Sequence, residues 1–186
     1  MKMKFLGRVV LAAALVAGAA MAKSKGIANL PQTDEQIAKA VRHDVIVYPY
    51  YSIWDDISFQ VSNGQVELSG AVTQPYKKSD LGKIVQQIPG VTSVTNNLAV
   101  LPLSPTDNRL RLQVARAIYG FPALSRYGMG ALPSIHIVVD NGHVTLTGVV
   151  DTETDRQLAG IRANGAGLSF GPVVNNLQVG QSAKKS

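Results

Sequence analysis

The chain has no cysteine in 186 residues, which excludes disulfide cross-links, thiolate metal sites and a lipid attached to a cysteine at a processed N-terminus. Histidine is scarce. His43, His136 and His143 show no ligand spacing, and only His136 and His143 are near neighbours, on solvent-phase positions of one stretch, so no metal centre is expected. Gly128-Met129-Gly130 lacks both the later glycine and the preceding strand of a phosphate-cradling loop. No serine or threonine occupies a nucleophile-elbow sequence. Asp55-Asp56 could suggest paired carboxylates, but no nucleophile or second acid accompanies them, and they read as solvated loop charges. These absences together leave no reaction for the chain to perform. It is expected to be no enzyme and to need no cofactor.

Long apolar runs are also missing. The longest, Val9 to Ala20, is about a dozen residues where a membrane-spanning helix needs roughly 20. It follows Lys2, Lys4 and Arg8 and ends in Ala20-Met21-Ala22, the pattern of a secretory signal peptide cleaved after Ala22. Residues 1–22 are therefore assigned to export, which places the mature protein in the periplasm and leaves extracellular release open. The formal net charge of +6 shrinks on cleavage, because three basic residues leave and every acid stays. Nucleic acid is not an expected partner, while weak attraction to anionic surfaces remains open.

What the chain does contain is an internal repeat. Ile57, Phe59, Val61, Asn63-Gly64, Val66, Leu68 and Gly70 recur about 78 residues later as Ile135, Ile137, Val139, Asn141-Gly142, Val144, Leu146 and Gly148. Upstream, Ile37, Val41 and Pro49 match Leu110, Val114 and Pro122. Downstream, Asn96-Asn97-Leu98 matches Asn175-Asn176-Leu177. Each copy opens with a helix. Thr33 and Gln36 form a capping box ahead of Ile37, Ala40 and Val41, and Thr106, Asp107 or Asn108 can cap the helix of Leu110, Val114, Ala117 and Ile118. Period-two alternation around each Asn-Gly pair then predicts a β-hairpin with a type I′ turn. A second helix runs from Pro75 through Leu81, Ile84, Val85 and Ile88 to Pro89-Gly90. Its counterpart runs from Thr152 through Leu158 and Ile161 to Gly165 and Gly167. Final strands follow at 91–101 and 172–179.

The expected architecture is α+β: two tandem α-β-β-α-β modules, each a three-stranded mixed sheet with helices packed on it. The modules are placed at 30–101 and 106–180, with a disordered tail at 181–186. The short, proline-stiffened link Leu101 to Pro105 favours a packed pair over independent beads. Gly64 and Gly142 are expected in the turns. Gly70 and Gly148 fall in the core-facing phase of a strand, where close helix-on-sheet packing is the expected reason for a missing side chain. The Asn96 and Asn175 amides also face the core and need partners, most simply backbone groups at a strand edge.

These residues resemble the BON domain family. The hairpins Ile57 to Gly70 and Ile135 to Gly148, and the segment Gly90 to Val100, carry the resemblance. Phe170-Gly171-Pro172-Val173 departs from the family pattern at the equivalent turn of the second copy. The resemblance implies a non-catalytic envelope module that binds phospholipid or other envelope components, in a family that includes osmotically induced periplasmic proteins. Tyr48, Tyr50, Tyr51, Trp54, Tyr119, Phe121 and Tyr127 gather in the two connections from first helix to hairpin, which are longer than the fold requires. Aromatics beside cations suit a headgroup boundary. The candidate contact residues are Arg116, Tyr119, Phe121, Arg126, Tyr127 and Met129, with Tyr50, Tyr51 and Trp54 in the equivalent loop. Burial of these side chains in the core or between copies is the competing reading. It goes with a scaffold in an envelope assembly, whose partner is an envelope protein or another copy of the chain.

Overall fold

A computed structural model describes residues 33–130, 133–167 and 169–180. The expected signal peptide and C-terminal tail lie outside the described residues. The first repeat runs α1 (Asp34–Val47), β1 (Asp56–Ser62), β2 (Gln65–Val72), α2 (Pro75–Gln86), β3 (Ser93–Asn96) and β4 (Ala99–Val100). The second runs α3 (Pro105–Tyr119), a 3-10 turn η1 (Ser125–Gly128), β5 (Ile135–Asp140), β6 (His143–Val150), α4 (Glu153–Asn164), β7 (Val174–Asn175) and β8 (Gln178–Val179). The fold is α+β, with two mixed sheets and helices packed on them.

In each repeat the hairpin is antiparallel and the final strand lies parallel to its second strand, which is therefore central. That final strand is broken. β3 and β4 both pair with β2, and β7 and β8 both pair with β6. The break holds Asn97-Leu98 and Asn176-Leu177. Leu98 and Leu177 turn inward and are buried, while the Asn97 and Asn176 N–H groups donate to the Leu68 and Leu146 carbonyls, both at 2.8 Å.

The capping box forms as expected at α1: Gln36 N–H donates to Thr33 Oγ1 at 3.3 Å and Thr33 N–H to Gln36 Oε1 at 3.0 Å. In α3 the cap is Ser104 rather than Thr106, Asp107 or Asn108, because Pro105 is suited to the first helical position. Asp107 is thereby freed for another task, and Asp34 shares it. The two oxygens of Asp34 accept from Asn63 N–H at 2.7 Å and Gly64 N–H at 2.9 Å. Those of Asp107 accept from Asn141 and Gly142 at 3.1 and 2.9 Å. One carboxylate in the first turn of each leading helix thus clamps the hairpin turn, whose residues have positive φ throughout (Asn63 52°, Gly64 76°, Asn141 48°, Gly142 78°).

The reason expected for Gly70 and Gly148 is corrected. Their φ angles are +109° and +108°, and a Cβ would strike the carbonyl oxygen of Asp56 or Ser134 on the neighbouring strand segment rather than a helix. The close helix contact lies elsewhere. Cβ atoms at Gly82 in α2 and Gly160 in α4 would each sit 2.8 Å from the amide nitrogen of Asn96 or Asn175. Those amides donate to the helix carbonyls of Lys78 at 2.8 Å and Arg156 at 2.7 Å, tying the broken strand to the helix above it. Ile161, expected on the core stripe of α4, is 68% exposed. Ala159, Gly160 and Ala163 face the core instead.

Two apolar clusters form, one per repeat. The repeats meet through the connection that precedes β1. Ile137 N–H donates to the Ile53 carbonyl at 2.7 Å, the Tyr51 ring stacks on His136 with centroids 5.4 Å apart, and Trp54 packs against the second repeat's cluster.

Candidate functional site

Most of the side chains expected to face a partner are engaged within the fold. Tyr127 is buried. Its hydroxyl donates to Asp155 Oδ2 at 2.9 Å and accepts from Asp151 N–H at 2.8 Å. Arg126 reaches Asp155 at 2.7 Å and Asp151 at 3.1 Å and donates to the Tyr127 hydroxyl at 2.9 Å. Tyr119 is half-buried and donates to the Ile135 carbonyl. Phe121 lies against the core under the Arg162 guanidinium, 4.8 Å from its ring centroid. Burial pushes the Tyr119 and Tyr127 hydroxyls above their usual range. Burial also pushes the Asp155 carboxyl up, but hydrogen bonds from Thr152 and Tyr127 and the nearby Arg126 outweigh it and hold that group below the usual carboxylate range.

The first connection is likewise mostly occupied. Burial, with Asp56 and Asp55 nearby, raises the Tyr51 hydroxyl to about 12. Tyr51 and Trp54 face the second repeat. Tyr48 is buried and donates to Asp80 at 3.0 Å. Asp55, read from sequence as a solvated charge, is fully buried: Lys77 donates to it at 2.7 Å, and it also accepts from Ser52 and from Thr73 N–H. Loop closure over α2 explains this, since the network satisfies the first backbone donor after the hairpin. In the second repeat the Asp151 N–H holds the same place and bonds to Tyr127 instead. Lys77 in α2 and Asp155 in α4 are therefore counterparts of opposite charge, each met by a complementary group from the preceding connection.

Arg116, Met129 (80% exposed) and Tyr50 (58% exposed) remain outward. Tyr50 belongs to a surface that sequence reasoning missed. Ile46 and Val47 at the end of α1 and Tyr76 at the start of α2 are exposed by 44%, 56% and 46%, with the Tyr50 and Tyr76 rings 5.5 Å apart. Beside them, a groove of about 700 Å³ runs between α1 and β1, lined by Ala38, Lys39, Arg42, Ile46, Ile57 and Phe59. The available signal was an apolar surplus: Ile46 and Val47 lie off the Ile37, Val41, Val45 stripe that suffices to seat α1. Among the described residues no group of three or more histidines and carboxylates could hold a metal ion, and no helix is long and apolar enough to cross a membrane.

A family model described as BON domain matches residues 33–102 and 125–181, the second segment beginning after α3. No curated protein matches the chain. Two solved structures of CdsD, described as a structural protein of the type III secretion system of Chlamydia trachomatis, are similar at 18% identity. One has a TM-score of 0.30 over 77% of this chain and 60% of that one. The other, its C-terminal domain, has 0.31 over 81% and 66%. The chain thus spans less than two thirds of either.

Proposed function

We propose, from the premise that this chain belongs to the BON domain family, that it is a non-catalytic cell-envelope module that associates weakly and reversibly with anionic phospholipid. The proposal includes export by residues 1–22 to the periplasm, modules at 30–101 and 106–180, and a part in envelope integrity or stress tolerance. The observation that carries it is the outward apolar set Ile46, Val47, Tyr50 and Tyr76, of which Ile46 lines the groove together with the cations Lys39 and Arg42 and the carboxylate of Glu35. Apolar side chains next to cations suit the headgroup boundary, where charge attracts and shallow insertion retains.

The contact surface is proposed on the first repeat, because Tyr119, Phe121, Arg126 and Tyr127 hold the second repeat together. Co-sedimentation of residues 23–186 with vesicles containing phosphatidylglycerol tests the proposal. Binding is expected to fall with salt and to be lost on Val47→Ser with Tyr50→Ser, whereas Arg116→Ser with Met129→Ser leaves most of it. Absence of binding to any vesicle removes the reading. A scaffold role is the second reading, favoured by the open groove between α1 and β1.

A further inference from the structure

In both hairpins a two-residue turn fixes the register, so alternate residues of the first strand direct their N–H and C=O groups away from the hairpin. In β5 these are Ile135, Ile137 and Val139, and one outward group of each is engaged within the chain. The Ile135 carbonyl accepts from Tyr119, Ile137 N–H donates to Ile53, and the Val139 carbonyl accepts from Arg111 at 2.7 Å. All three side chains are 0% exposed. The equivalents in β1 are Ile57, Phe59 and Val61. Among the described residues none bonds to their outward backbone groups, and their side chains are only half-buried.

The cause is legible in the leading helices. At the spacing that aligns Val41 with Val114, Arg111 corresponds to Ala38 and Tyr119 to Ile46. The two side chains that reach the β5 edge are replaced by ones too short or too apolar to reach β1, and the groove stands where they would lie. An open edge is ordinarily guarded by charge, proline or a bulge. After Asp56, β1 has no charged residue and no proline of its own, and the charges near its edge are Glu35, Lys39 and Arg42 of α1, which line the groove.

We propose that β1 pairs with β1 of a second copy of this chain, antiparallel about a two-fold axis, joining the two first-repeat sheets into one. An antiparallel strand presents to its own copy the same alternating donors and acceptors, so one patch satisfies both chains. Ser58 and Gln60, the outer-face neighbours, are uncharged, and on the groove side Glu35 stands with Lys39 and Arg42, so each copy offers an acid to the bases of the other. The chain already covers the homologous edge of β5 with its own Ile53 segment, which leaves β1 as the open member of the pair.

Sedimentation equilibrium of residues 23–186 tests this between about 1 and 500 μM, a range suited to a small interface. The mass is expected to rise from one chain to two. Grafting the second repeat's cover onto the first, Ala38→Arg with Ile46→Tyr, is expected to weaken association at least about tenfold. Ser58→Lys with Gln60→Lys, which changes only exposed positions, is expected to do the same, and both variants should keep the parent melting temperature within a few degrees. A chain that stays monomeric throughout overturns the proposal, as does a dimer that survives both variants. Binding of a foreign strand in the groove without self-association overturns it too.

Discussion

Gly70 and Gly148 hold positive φ with a neighbouring carbonyl in the place a Cβ would take, so even alanine is excluded on two counts. Gly70→Ala and Gly148→Ala are each expected to lower stability by about 2 kcal/mol or more, measured by urea unfolding. Unchanged midpoints would mean that the strand relaxes at no cost. The carboxylate clamps differ in burial: Asp107 is 2% exposed, whereas Asp34 is half-exposed. Asp107→Ala is therefore expected to cost about 2–3 kcal/mol and Asp34→Ala about 1, since an orphaned buried donor loses more than one that water can reach. Equal losses would refute that ordering. The Asn-Gly turns were legible because their chemistry is local. The clamps were not, since each carboxylate bonds to amides some thirty positions along the chain, and an acidic residue in a first helical turn already has an ordinary explanation in the helix dipole.

At the scale of elements, α2 and α4 begin with buried polar networks of opposite sign. Helix spacing located both helices but could not see Lys77 or Asp155 as interior residues, because a charge is read as solvated until its partner is known. It also overweighted Ile161, since the Asn175 amide needs the room at Gly160 and so turns the small face of α4 inward. The network makes a pH prediction for the second repeat. The Asp155 carboxyl is held below its usual range in the fold, so the unfolded chain takes up the proton first as pH falls. Its stabilisation is present above about 3.9, the usual aspartate value, and is lost as pH drops through the folded value. Asp155→Asn is expected to lower stability near neutral pH and to flatten the acid limb of the stability profile. Parallel parent and variant curves between pH 6 and 2.5 would contradict this.

At the scale of the whole chain, the stiff link from Leu101 to Pro105 announced a packed pair, but the contact itself is made by Ile53, Tyr51 and Trp54 of the earlier connection. Aromatic clustering there is visible in the sequence, which leaves an outward contact and burial between copies both open. Nothing in a single sequence tells a side chain that seats on a neighbouring repeat from one that meets a membrane, because both need a large apolar ring. The structure supplies a direct probe, since Trp54 is the sole tryptophan and lies against the second repeat's core. In the parent chain its fluorescence should change together with the far-UV dichroism as urea is added, because separating the repeats would expose Trp54 and free the Ile137 N–H from Ile53. Tyr51→Ala removes the ring stacked on His136 and a half-buried side chain at the margin of the first cluster, but none of the buried members of either cluster. Stacked aromatic pairs contribute about 0.5–1.5 kcal/mol beyond their burial, so the contact between repeats should weaken by at least that much while each repeat keeps its own core. The fluorescence transition is then expected at lower urea than the dichroism transition, with undocking preceding unfolding. Transitions that stay coincident in Tyr51→Ala, at the parent midpoint, would show that the stack contributes nothing and that the Ile53 bond and Trp54 hold the pair alone.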